Sequence, residues 1–198
     1  MNSSRFPGKP LKKINGVPMI EIIYRKVKAC KFINKTIIAT CDYEIINHIK
    51  KIGGIAIMTS KKHKRASDRC AEALKKYEKL NKVTFDIIVM VQGDEPMINQ
   101  KMIKQSLQPM LYDKKVQVVN LFSKIKSESE FKDKNCIKVV CDKKMNAIYF
   151  SRAPIPTKSR VKHNLQRKQI CIIPFRRKFL MKYLKFKPTP LEKIESID

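Results

Sequence analysis

Short apolar runs alternate with stretches of helical period along the first half of the chain. Ile87-Ile88-Val89-Met90-Val91 is uninterrupted, with the length and branched composition of a buried β-strand. The segments 36–40 (Thr-Ile-Ile-Ala-Thr) and 55–58 (Ile-Ala-Ile-Met) predict two more strands. Between them a helix is expected over 43–52, capped by Asp42 and ended by Gly53-Gly54. Upstream, Met19, Ile20, Ile23 and Val27 recur at helical spacing, which predicts a helix over 17–30 with Pro18 in its first turn. Another helix is expected over 67–80, with Ser67 as its N-cap. Repeated strand–helix alternation predicts an α/β fold on a doubly wound, parallel sheet.

The second half changes character. A helix over 100–111 capped by Asn99, a strand over 116–122 and a short helix over 128–132 precede two strands, 137–141 and 147–150. Those two face each other across Asp142-Lys143-Lys144-Met145-Asn146, a loop short enough for a hairpin. Ser151-Arg152-Ala153-Pro154-Ile155-Pro156 follows, its prolines stiffening the backbone around Arg152. Residues 157–167 are polar and basic without period, a surface loop, before a strand over 169–173 and a helix over 177–184.

Two places carry candidate chemistry. The strand over 87–91 runs into Gln92-Gly93-Asp94-Glu95-Pro96, so carboxylates stand at the carboxyl end of a strand, where open α/β sheets bind ligands. An ionised Asp94 in that crevice suits a divalent cation, although an acidic strand-to-helix turn would look the same. At the N-terminus, Ser3-Ser4-Arg5-Phe6-Pro7-Gly8-Lys9 sets two cations around a Pro-Gly turn, a combination suited to a polyphosphate. His63 lies in a basic loop, either simply exposed or closing over a nucleotide.

Composition narrows the reading. The formal charge is +27, which would fit a nucleic-acid-binding domain. Lysine, however, supplies 35 of the 44 basic residues and is scattered through the predicted helices and loops rather than gathered in one stripe. Nucleic acid is therefore not the expected partner, and steering of anionic small substrates is the expected use of the charge. No apolar run is long enough to span a bilayer and no leader pattern opens the sequence, so no membrane association and a cytoplasmic location are expected. Six cysteines show no Cys-x-x-Cys spacing, so reduced, partly buried thiols are expected.

Four blocks taken in order carry a resemblance. They are Ser3 to Leu11, Asn15-Gly16-Val17-Pro18-Met19-Ile20, Val91 to Pro96, and Tyr149-Phe150-Ser151-Arg152-Ala153-Pro154-Ile155-Pro156, with Pro188-Thr189-Pro190-Leu191-Glu192-Lys193-Ile194-Glu195 toward the end. Together they are similar to the 3-deoxy-manno-octulosonate (Kdo) cytidylyltransferases, relatives of the acylneuraminate cytidylyltransferases. The resemblance implies a single Rossmann-like nucleotidyltransferase domain over 1–198, its sheet mostly parallel, with a small mixed section used for homodimerisation. It also implies transfer of CMP from CTP to the anomeric hydroxyl of the sugar acid with Mg²⁺ present, for lipopolysaccharide synthesis.

Carried over by position, Arg5 and Lys9 match the cations on the CTP phosphates, with Ser4 beside them. Arg69 matches an arginine facing the nucleotide, and Asp94 the Mg²⁺ ligand. Gln92, Arg152, Gln169, Glu192 and Glu195 match positions around the sugar acid. Three departures stand out. A first strand ending Ile-Pro-Ala-Arg and a C-terminal segment with a second metal carboxylate lie outside this sequence, so a fragment is expected. Gln169 stands where the family usually has His, and cannot carry a proton. Another sugar acid such as a sialic acid, an inactive fragment and a basic nucleic-acid binder are the alternatives.

Overall fold

A computed structural model describes residues 8–157 and 165–197. The chain forms two compact units, one of residues up to Val119 with Ile172–Lys185, the other of Asn120–Cys171 with the residues from Phe186 on.

The first unit opens with a left-handed Gly8 (φ 72°) that starts a single 3-10 turn, Lys9–Leu11. Strands β1 (Lys13–Ile14) and β2 (Val17–Pro18) form a hairpin around Asn15 and Gly16, both at positive φ. Asn-Gly is the pair a two-residue hairpin turn demands. It draws Pro18 out of the expected first helical turn and onto the strand, so helix α1 begins one residue later (Met19–Lys28). Its Met19, Ile20, Ile23, Tyr24 and Val27 are buried, as their spacing predicts.

Strand β3 (Ile38–Thr40), helix α2 (Tyr43–Lys51) and strand β4 (Ala56–Met58) make one βαβ unit, with β3 and β4 parallel. Gly53 at φ 69° ends α2, while Asp42 stands at its N-cap without a side-chain cap bond. Helix α3 (Ala66–Asn81) starts at Arg65 rather than Ser67, whose hydroxyl is buried and has no hydrogen-bond partner. Strand β5 (Ile87–Val91) and helix α4 (Gln100–Tyr112) follow, α4 capped by Asn99, which accepts from Met102 N at 3.0 Å.

The second unit holds β6 (Leu121–Lys124), α5 (Glu128–Lys132), the hairpin β7 (Lys138–Cys141) and β8 (Ala147–Ser151), and β9 (Arg167–Ile170). They form a four-stranded sheet of order β6-β9-β7-β8 with every pairing antiparallel. The surface loop expected over 157–167 falls mostly outside the described residues; its end, Arg167, belongs to β9.

At Cys171 the chain bends back to the first unit. The single strand expected over 169–173 is thus two, β9 and β10 (Ile172–Arg176), in different units. Likewise the run 116–122 divides, Val118 bridging Phe175 while Leu121 enters β6. Helix α6 (Arg177–Tyr183) packs near α3, where Arg177 forks onto Glu78 with contacts of 2.8 and 3.1 Å. Helix α7 (Pro190–Glu195) closes the second unit behind a Thr189/Glu192 capping box.

The sheet therefore departs from expectation. Among the described residues β3–β4 is the parallel pair, and β10 pairs antiparallel with β5. A crossover helix forces successive strands parallel, but β10 arrives from a long excursion through the second unit and is under no such constraint. The core of the first unit is correspondingly split. One cluster gathers Ile20, Tyr24, Ile45 and Ile49, the other Ala71, Leu74, Met90, Ile173, Phe175 and Leu180.

Candidate active site

In the first unit the structure brings Lys9 and Asp94 into contact across 85 positions of sequence. Lys9 Nζ donates to Asp94 Oδ2 at 2.9 Å, both side chains well exposed to solvent. The left-handed Gly8 sets the direction of Lys9, and the end of β5 sets that of Asp94. The turn after β5 is tightened by Glu95 N donating to Gln92 O (3.3 Å) and Ile98 N to Glu95 O (3.1 Å). Lys26 of α1 ties it down by donating to Pro96 O at 2.7 Å. At Gly93 a Cβ would come within 3.3 Å of Ile20 Cδ1, so the turn packs closely on α1 there. The two charges share an exposed position at a strand end, where both can exchange partners for a phosphate and a cation at little cost.

Arg69, in the first turns of α3, donates from Nη1 to Thr59 Oγ1 at 2.5 Å. It lines one cavity with Gln92 and Gly93. His63 does not stand free in its loop: its ring meets the Glu72 carboxylate. Lys76, the Ser60 amide and His63 together hold the Glu72 carboxyl at about 2. Ser4 and Arg5 lie outside the described residues.

In the second unit Glu195 is a hub. Its carboxylate accepts from Tyr149 Oη, Ser151 Oγ and Arg152 N, each at 2.7 Å. The Arg152 amide, then the two hydroxyls, hold that carboxyl below its ordinary range. The Arg152 guanidinium is spread over backbone carbonyls, donating to Glu195 O (2.5 Å), Ser196 O (2.9 Å) and Lys134 O (3.0 Å). Gln169 on β9 donates to Asn120 Oδ1 at 2.6 Å. Glu192 stands apart from this group: its carboxylate accepts from Thr189 N at 2.6 Å in the capping box.

Sequence reasoning passed over Lys138. It sits in the run Ile137-Lys138-Val139-Val140, is fully buried, and its Nζ donates to Asp133 O (2.8 Å), Cys136 O (2.6 Å) and Arg152 O (2.6 Å). A lysine inside an apolar strand was the available signal. All six cysteines are free, Cys30 buried and the others partly so. Among the described residues no three His, Cys, Asp or Glu side chains converge, and no helix is long and apolar enough to cross a membrane. A lone carboxylate still fits Mg²⁺, which takes one or two carboxylates and completes its shell with water and substrate phosphates.

Comparison with known proteins identifies relatives of the chain. The chain is 39% identical to 3-deoxy-manno-octulosonate cytidylyltransferase of Fusobacterium nucleatum, over all of this chain and 78% of that protein. It is 36% identical to the protein of the same description from Geobacter metallireducens, over 99% of this chain and 79% of that one. A solved structure of CMP:2-keto-3-deoxy-manno-octonic acid synthetase complexed with CTP superposes with a TM-score of 0.88 at 34% identity, covering 99% of this chain and 78% of that chain. The fold is thus the α/β nucleotidyltransferase fold of that enzyme, built here from small mixed sheets. The cytidylyltransferase family model matches residues 1–198, and the chain belongs to the cytidylyltransferase family.

Proposed function

We propose that this chain transfers CMP from CTP to the anomeric hydroxyl of 3-deoxy-manno-octulosonate, releasing pyrophosphate. The observation that carries the reading is the Lys9–Asp94 pair at the end of β5, in a chain whose relatives bear that activity in their names. In the reaction the hydroxyl oxygen bonds to the α-phosphorus of CTP, the bond from that phosphorus to the β-phosphate oxygen breaks, and the hydroxyl proton passes to solvent. Negative charge grows on the departing pyrophosphate, so fixed cations supply most of the acceleration.

Lys9, with Arg5 and Ser4 from the same loop, binds the triphosphate, and Arg69 seats the nucleotide from α3. Asp94, released from Lys9, would hold Mg²⁺. When bound, that ion neutralises phosphate charge and orients the α-phosphate. Gln92, Arg152, Gln169, Glu192 and Glu195 belong to the sugar-acid side. For Arg152 and Glu195 the support is positional: the pair fixes the loop after β8. The two units act as one cytidylyltransferase domain in the cytoplasm, supplying activated sugar acid for lipopolysaccharide. Edge strand β8 of the four-stranded sheet exposes Ile148, with Met145 exposed just before it, which supports a homodimer through that sheet.

The test is pyrophosphate release from CTP, Mg²⁺ and the sugar acid, with Asp94→Asn as the control. The amide keeps the shape and loses the charge on an exposed side chain, so the fold should survive while turnover falls by at least ~100-fold. Turnover in Asp94→Asn close to that of the parent chain would overturn the assignment of Asp94.

A further inference from the structure

Among the described residues Lys138 is the largest fully buried side chain, and it carries a charge. Its neighbour in β7, Val139, is buried as well, and its partner across the ladder is the buried Ser151. An ammonium in such a setting survives only where each of its N–H groups finds an acceptor. The three acceptors come from two places. Asp133 O and Cys136 O belong to the turn after α5, which Cys136 N closes by donating to Asp133 O at 3.1 Å. The third, Arg152 O, follows the end of β8. The ammonium is therefore the joint between that turn and the Arg152 loop.

Arg152 is gripped on both sides of its main chain. Its carbonyl accepts from Lys138 Nζ at 2.6 Å, and its amide donates to Glu195 Oε2 at 2.7 Å. The order runs cation, Arg152 backbone, carboxylate. Hydrogen bonds with one ionised partner are the strong class, and both of these belong to it. The guanidinium, by contrast, donates to the carbonyls of Glu195, Ser196 and Lys134, all neutral acceptors. A carboxylate ligand can draw it away from those carbonyls while the two main-chain bonds stay in place.

We infer that Lys138 is a positioning residue for the sugar-acid end of the site: it fixes the Arg152 main chain, so that the guanidinium can meet the substrate carboxylate without its loop reorganising. The inference rests on the assignment of Arg152 to the sugar acid made above. Lys138 itself touches no substrate, since its three N–H groups are all engaged and it has no solvent exposure. No other side chain offers three donors on one atom, so the position has no neutral substitute.

The experiment is steady-state pyrophosphate release by the 198-residue protein, varying CTP and the sugar acid in turn, for the parent, Lys138→Met and Val139→Ala. By strand alternation Val139 points to the opposite face, so its truncation weakens the same strand and spares the three carbonyls. Lys138→Met should raise KM for the sugar acid at least ~10-fold, the scale of one lost hydrogen bond to a charged group. KM for CTP should stay at the parent value, and Val139→Ala should leave both KM values there. A second measurement uses the parent protein and does not depend on the variant folding. With isotope-labelled lysine, the shielded Lys138 ammonium should give a slowly exchanging resonance that shifts on adding the sugar acid but not on adding CTP alone. A fall in kcat with both KM values unchanged in Lys138→Met, the mark of a smaller folded fraction, overturns the proposal. So does the same rise in KM in Val139→Ala, or a resonance indifferent to the sugar acid. A parent that releases no pyrophosphate from CTP and this sugar acid overturns the underlying assignment together with the proposal, whereas an active parent with unchanged KM values in Lys138→Met overturns the proposal alone.

Discussion

At position 138 an ammonium group sits without solvent exposure, held by three backbone carbonyls. Burial pulls its pKa below the ordinary lysine range, and the carbonyls offset that penalty. Lys138→Met keeps the stem and removes the donors, leaving the carbonyls of Asp133, Cys136 and Arg152 without them. Urea unfolding should register a loss of about 1–3 kcal/mol or more. Lys138→Arg should not rescue it, because a planar fork cannot replace a compact ammonium among three acceptors. A second site is tight in the opposite sense. A Cβ at Gly54 would lie 2.6 Å from Ile49 Cγ2 and 2.9 Å from Ile49 O. Gly54→Ala should therefore cost about 1–3 kcal/mol, read as a lowered urea midpoint with unchanged slope.

Among the elements, the loop after β4 is fastened to α3 through Glu72, which accepts from Lys76, from the Ser60 amide and from His63. Its carboxyl titrates at about 2 in the folded protein, against about 4.3 in an unfolded chain. The folded value is the lower one, so this contribution is complete above the unfolded value and is lost as pH falls toward 2. Urea titrations of the parent chain and Glu72→Gln should differ at pH 6 and converge at pH 2. A constant difference across that range would count against the linkage.

Helices α2 and α4 were readable because local signals agreed: helical spacing, Gly53 after one, Asn99 before the other. The Asn15-Gly16 hairpin was equally local, yet the apolar spacing after Pro18 masked it. What lay beyond local reading was non-local. Nothing near Ile172 says that it pairs with Val91, nor that Cys171 separates two units. In the candidate site, the strand end that carries Asp94 was legible because the apolar run of β5 stops at Val91, just before Gln92-Gly93. The partners of Glu195 were not, since Tyr149 and Ser151 meet it across more than 40 positions.

At the scale of the whole molecule, a formal charge of +27 repels itself. Raising salt from about 10 mM to 150 mM shortens the screening length from roughly 30 to 8 Å, so the melting temperature should rise. Affinity for CTP should fall over the same range, because the field that gathers the anion is screened along with the repulsion. A melting temperature that drops with added salt would mean that attractive ion pairs, such as Arg177–Glu78, dominate the balance.

The pairing of β5 with β10 also has a consequence in time. During synthesis β5 leaves the ribosome roughly 80 residues ahead of its partner, an interval of about 4–16 s at ordinary elongation rates. The second unit's four strands are all made within that interval, whereas Met90 waits for Ile173, Phe175 and Leu180 before its core can close. Translation order therefore makes β5 one of the last parts of the protein to become solid, and leaves its apolar face longest within reach of chaperones.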